Sequence, residues 1–206
     1  MACLALTACT GMGEAWRHRV SGEPALIGFG CDNFGAKGQP SVDNSEVRLL
    51  LVVVQRTSQR STSFAGELPT DWPGQELPIT FMEPLPIEVV RSDVRDLLTS
   101  LGYAVETEQS ATARRVEVTI SRLDSGHEDA DWNELKGLTW AQLDVDVTIV
   151  RGPDDRWLWE FTRRGELDVL AFLASHVESA YGSAYCQILD DFDAVFQSAE
   201  FSELVR

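Results

Sequence analysis

The chain has few of the residues that usually announce chemistry. Its three histidines, His18, His127 and His176, lie far apart, and no CxxC or HxxxH pair occurs, so the ligand spacing of a zinc site is missing. No GxSxG occurs, which removes the strained turn that presents a serine nucleophile. There is no apolar run of the roughly 18 residues needed for a membrane-spanning helix. Basic residues are scarce: 17 Lys and Arg stand against 33 Asp and Glu, for a net charge of −16. Such a surface repels phosphate backbones and argues against docking on anionic lipid through a basic patch, so nucleic acid is not expected as a partner. Glycines cluster at Gly28, Gly30, Gly35 and Gly38, but loop residues Gln39–Ser45 follow them. A phosphate cradle needs a helix N-terminus there instead.

Cysteine is limited to Cys3, Cys9, Cys31 and Cys186. Leu6-Thr7-Ala8-Cys9 has the form of a bacterial lipobox: an apolar residue, two small ones, then the cysteine that receives a diacylglycerol. Apolar Leu4-Ala5-Leu6 reads as the tail of a signal-peptide core, and Thr10-Gly11-Met12-Gly13 as the start of a tether. A full secretory signal carries a basic stretch and about 7–15 apolar residues before cleavage. The eight residues before Cys9 hold neither Lys nor Arg. Residues 1–9 are therefore expected to be a truncated signal peptide with its lipobox, whose true start lies upstream. The competing reading is an ordinary amino end with a genuine Met1. Cys31 and Cys186 would remain after processing. An oxidising envelope would let them pair, but nothing in the sequence places them within bonding distance, and two separate thiols, with Cys186 packed on a helix, are the expectation over a bridge.

Residues 10–45 read as tether and Gly-rich segment, with Ala25–Phe29 a candidate short strand, and residues 46–206 as a single α+β domain. Glu46–Gln55 contains the run Leu49–Val54, which suits a strand covered on both faces. The Ser/Pro-rich stretch 56–80 is expected to be a long loop. Ile87, Val90, Val94, Leu97, Leu98 and Leu101 recur at helical spacing, with Pro84 and Pro86 before them and Gly102 after, predicting a helix over 87–101. Alternation then predicts three strands, around Val116–Ile120, Leu143–Ile149 and Trp157–Phe161. An acidic loop, Asp124–Gly137, separates the first two, and a turn at Gly152–Asp155 joins the last two. Residues 168–200 are expected to be helical, with Gly182 as a dividing point. Two amphipathic helices on one face of a mainly antiparallel or mixed sheet of about four to five strands make a two-layer α+β sandwich.

The order strand, helix ending in Leu-Gly-Tyr, short strand, three long strands and terminal helix, behind a lipobox, resembles the small bacterial envelope lipoproteins of the YajG type. The resemblance is carried by Val94-Arg-Asp-Leu-Leu-Thr-Ser-Leu-Gly-Tyr-Ala-Val105, by Val116–Ile120 and by Val145–Ile149. It implies a membrane-anchored domain that binds other envelope proteins and is not an enzyme, with no active site to carry over. Thr10 after the cysteine, where inner-membrane lipoproteins carry Asp, implies sorting to the outer membrane, facing the periplasm.

Few residues compete as sites. Cys9 is the expected lipidation (palmitate-bearing) position. Trp72 and Trp132 each sit beside an acid in a loop and are the candidate partner surface. Asp144 and Asp146 share one strand face about 7 Å apart, a separation open to glycoside hydrolysis; with the tryptophans they support an alternative reading as a hydrolase or carbohydrate-binding protein. A solvated strand face accounts for them more simply. Trp157, Trp159 and Phe161 share a face and read as core. Glu128–Asp131 lacks the glycine and closing glutamate of a calcium loop. No metal or cofactor is expected, and oligomeric state is left open.

Overall fold

The computed structural model describes residues 24–31, 44–56, 63–69, 76–106, 113–129, 137–152, 155–169 and 173–206. The elements are β1 (Ala25–Ile27), β2 (Arg48–Gln55), β3 (Phe64–Pro69), β4 (Glu76–Phe81), α1 (Pro86–Ser100), β5 (Ala104–Glu106), β6 (Arg114–Asp129), β7 (Gly137–Val150), β8 (Arg156–Val169), α2 (Ala174–Phe196) and α3 (Ala199–Val205).

Five strands form one mixed sheet in the order β5-β2-β6-β7-β8. β2 runs parallel to both β5 and β6, and β6, β7 and β8 form an antiparallel meander. The α+β class expected from the pattern is the one observed. α1 lies over β2 and β5, and α2 over β7 and β8. Both helices share one core with the sheet, built on Leu49, Val94, Leu98, Val118, Val147, Ile188 and Phe192.

α1 forms where its sequence asks. Pro86 opens it, the Glu88 carboxylate accepts a hydrogen bond from the Leu85 N–H at 3.0 Å, and Gly102 takes φ +87° to end it. The Tyr103 N–H closes the turn on the Leu98 carbonyl at 3.1 Å. α2 runs unbroken through Gly182; of the span 168–200 first read as helical, Asp168 and Val169 belong to β8, and Gln197 and Ser198 separate α2 from α3. α2 seats close to β8. A Cβ on Gly165 would strike the Ala180 carbonyl, with the Ala184 nitrogen only 3.1 Å away, so only glycine admits the helix there.

Three expectations are corrected. The stretch 56–80 is not one loop, since β3 and β4 lie in it and pair antiparallel. With β1, which joins β4 in parallel, they make a second sheet ordered β1-β4-β3. The acidic segment is not loop from Asp124 onward, since β6 continues to Asp129. A β-bulge between Ile120 and Arg122 explains why: it resets the alternation so that Leu123, not Arg122, enters the core. Finally, β2 has helices on one side only. Leu49 and Val53 are buried, whereas Leu50, Val52 and Val54 are half-buried on the opposite face.

The second sheet is fastened by polar and aromatic contacts. The hydroxyls of Ser125 and Tyr181 donate to the Ala65 carbonyl at 2.8 and 2.6 Å. Phe29 packs against Phe81 and Tyr185, with ring centroids 5.5 and 4.7 Å apart. Residues 24–31 of the Gly-rich segment thus belong to the folded body.

Candidate functional site

Cys9, Trp72 and Trp132 lie outside the described residues. The structure does decide the other cysteine question. Cys31, just beyond β1, is disulfide-bonded to Cys186 on α2, with Cα atoms 5.2 Å apart. Beside it the Gly28 N–H donates to the Glu178 carboxylate at 3.2 Å, so two bonds hold the strand-bearing arm to the helix. Pairing was not the expectation from the sequence, in which 155 residues separate the thiols. Only the packing of β1 against α2 brings them together.

Asp144 and Asp146 do project from the same face of β7, the one away from the helices, and both are half-buried. That face is laced with ion pairs. Glu117 receives Arg56 and Arg115 at 3.2 and 2.8 Å, and Arg122 meets Asp124 at 2.7 Å. Arg164 meets Glu128 and Glu166, each at 2.8 Å, and lies 4.7 Å from the centroid of Trp140. Asp144 accepts from the Gln142 amide at 3.0 Å. Asp146 stands opposite Glu160 on β8. Burial first, then Glu160 and Asp144, hold the Asp146 carboxyl above the usual carboxylate range, and Arg56 opposes them. The three acids stand on one sheet face, an arrangement that suits a hydrated, ion-paired surface better than a bond held between two carboxylates.

Trp159 and Phe161 point into the core, against Phe201 and Phe192, as their spacing predicts. Trp157 does not follow them; it is 44% exposed at the start of the edge strand. Glu128 lies one residue before the end of β6 and pairs with Arg164. Among the described residues no cluster of His, Cys, Asp and Glu is arranged to hold a metal ion, and no helix is long and apolar enough to cross a membrane.

One buried polar link was missed in the sequence. The Tyr185 hydroxyl donates to the Asp93 carboxylate on α1 at 2.8 Å. Burial and the neighbouring Asp93 charge push the phenol well above its ordinary range. Burial raises Asp93 too, against the lowering effect of the Tyr185 bond. Asp93 lies away from the apolar stripe of α1, and nothing in its spacing signals a tyrosine more than ninety residues on. The link joins α1 to α2.

No profile of a known protein family matches this chain, and no curated protein matches it in sequence. Solved structures do match. Protein XCC0632 from Xanthomonas campestris, of family DUF330, superposes with a TM-score of 0.54 at 14% identity, over 87% of this chain and 99% of that one. The rare lipoprotein B from Shewanella oneidensis gives a TM-score of 0.41 at 8% identity, over 74% and 97% of the two chains. Lipoprotein GNA1162 from Neisseria meningitidis gives 0.31 and 8%, over 70% and 99%. The chain therefore has an α+β fold shared with the DUF330 protein. None of these three structures carries the YajG name.

Proposed function

We propose that this chain is a lipoprotein of the bacterial cell envelope, acylated at Cys9, held at the outer membrane facing the periplasm and serving as a non-enzymatic interaction module. The observation that carries the reading is the Cys31–Cys186 bond. Disulfides persist in oxidising compartments and are rare in the cytosol, so the bond favours an exported chain over a cytosolic one with a genuine Met1. The lipobox at Leu6–Cys9 supplies the anchor, and the lipoprotein names of the more distant structures agree with it. The acidic surface fits a domain that stays clear of anionic headgroups and is held by its lipid. Trp72 and Trp132 remain the proposed contact residues for another envelope protein. The hydrolase reading loses support because Asp144 and Asp146 stand on one wall of a sheet among ion pairs.

The test is export of the chain behind an intact leader in a Gram-negative host, with and without Cys9→Ser. The wild-type chain is expected in the outer-membrane fraction with an acylated N-terminal peptide by mass spectrometry, and the variant in the soluble periplasm. An unmodified Cys9 sulfur in membrane-free protein would refute the anchor.

A further inference from the structure

We propose that the free edge of β8 pairs with β8 of a second copy of this chain, antiparallel about Thr162, joining two five-stranded sheets into one. Among the described residues β8 is the last strand of its sheet and is bonded to β7 on one side only. It is 14 residues long, against three for β5 at the opposite edge. Edge strands are ordinarily blunted by shortness, proline, a bulge or charged side chains, and of these β8 carries only the charges, whose signs complement one another when Thr162 faces its own copy. β8 contains no proline, and its register with β7 runs from Arg156 to Val169 without a shift. Among the described residues, three of the five exposed large hydrophobic side chains, Trp157, Leu158 and Leu167, lie on this strand.

The sequence of the edge fits itself in one register. With Thr162 opposite its own copy, Arg156 faces Asp168 of the second copy, Glu160 faces Arg164 and Trp157 faces Leu167. Every charged residue on the helix-free face except Glu166, which faces Leu158, then meets its opposite sign, and symmetry doubles each pair. Sliding one copy by two residues in one direction sets Arg163 against itself and Glu160 against Glu166. Sliding it the other way keeps one opposite-sign pair, Arg156 with Glu166, and leaves Glu160 facing Thr162, Arg164 facing Leu158 and Trp157 facing Gly165. The pairing also answers a local tension. Within one copy Glu160 stands beside Asp146, a like-charge cross-strand pair, and the second copy would place a guanidinium on its other side. Arg164 already meets Glu128 and Glu166 through Nη2 and Nε, so it would bridge both copies. The proposal does not depend on the lipid anchor.

The experiment uses the full chain with Cys9→Ser, so that no lipid associates, in light scattering and sedimentation at micromolar concentration. The expected result is a dimer. Glu160→Arg and Arg164→Glu should each weaken it roughly tenfold or more by setting like charges opposite one another, and the double variant should restore it. Thr162→Cys should form an interchain disulfide under mild oxidation. Circular dichroism verifies that each variant is folded, and Glu160→Arg, which removes the clash with Asp146, is the one least able to harm the monomer. A monomer throughout, a dimer indifferent to either charge reversal, or a double variant that fails to recover would each overturn the proposal. So would capture of a different protein's strand on this edge in place of self-pairing.

Discussion

Removing the Cys31–Cys186 bond should be among the most costly changes available outside the core. The bond closes a loop of 155 residues, nearly the whole domain. Loop-closure entropy for that length amounts to about 17 cal/mol/K, or about 5 kcal/mol at 25 °C. The Cα separation of 5.2 Å falls within the usual range, so the native state should forfeit little of this to distortion. The Cys31→Ser, Cys186→Ser double variant should therefore lose about 3–5 kcal/mol in urea unfolding followed by circular dichroism. Its Tm should fall by roughly 10–15 °C. The native contacts of Phe29 and Glu178 survive in the variant, so its folded spectrum should match that of the wild type. A loss below about 1 kcal/mol would refute the reasoning, because the closed loop would then impose no constraint on the unfolded chain. Two free thiols in protein purified from the envelope would refute it at an earlier step.

Other outcomes follow from single contacts. Gly165→Ala should destabilise the domain by about 3 kcal/mol, since the obstacle is the α2 backbone at Ala180 and Ala184, not a side chain that can swing away; thermal unfolding reads this, and an unchanged Tm would mean that the helix rides higher over β8. Asp146→Asn should stabilise at neutral pH by a few tenths of a kcal/mol up to about 1 kcal/mol. The sign follows from the raised carboxyl: the folded state holds its proton more tightly than the unfolded state, so the ionised wild type is penalised above the carboxylate range. The advantage of the variant should shrink as the pH falls through that range, and a benefit that grows in acid would contradict the assignment.

The parts of the fold that were legible in the sequence are those where one periodicity runs uninterrupted. The α1 stripe from Val90 to Leu98 and the alternation through Leu143–Ile149 each gave their element correctly. Legibility ended where a local irregularity reset the pattern. β6 looked finished at Ser121 because the bulge there shifts the inward positions by one, and Arg122-Leu123-Asp124 then reads as loop. β3 and β4 were hidden differently. Phe64-Ala65-Gly66-Glu67-Leu68-Pro69 carries a glycine and a proline that argue against a strand, and these are tolerated because β3 lies at the edge of its small sheet. The thiol pairing was illegible in principle, since it depends on tertiary contact alone. Asp144 and Asp146 were placed on a common face correctly; that Glu160 would join them required the β7–β8 register, which fixes it opposite Asp146.

The cross-link has a mechanical meaning as well. β1 is only three residues long and, among the described residues, is bonded to its sheet through β4 alone, so by itself it would peel away under a modest pull on the amino end of the chain. With Cys31 fused to Cys186, a load that strips the strand passes next into the middle of α2, the longest helix and the one seated over β7 and β8. Tension from that end would be borne by the body of the molecule and not by its weakest ribbon.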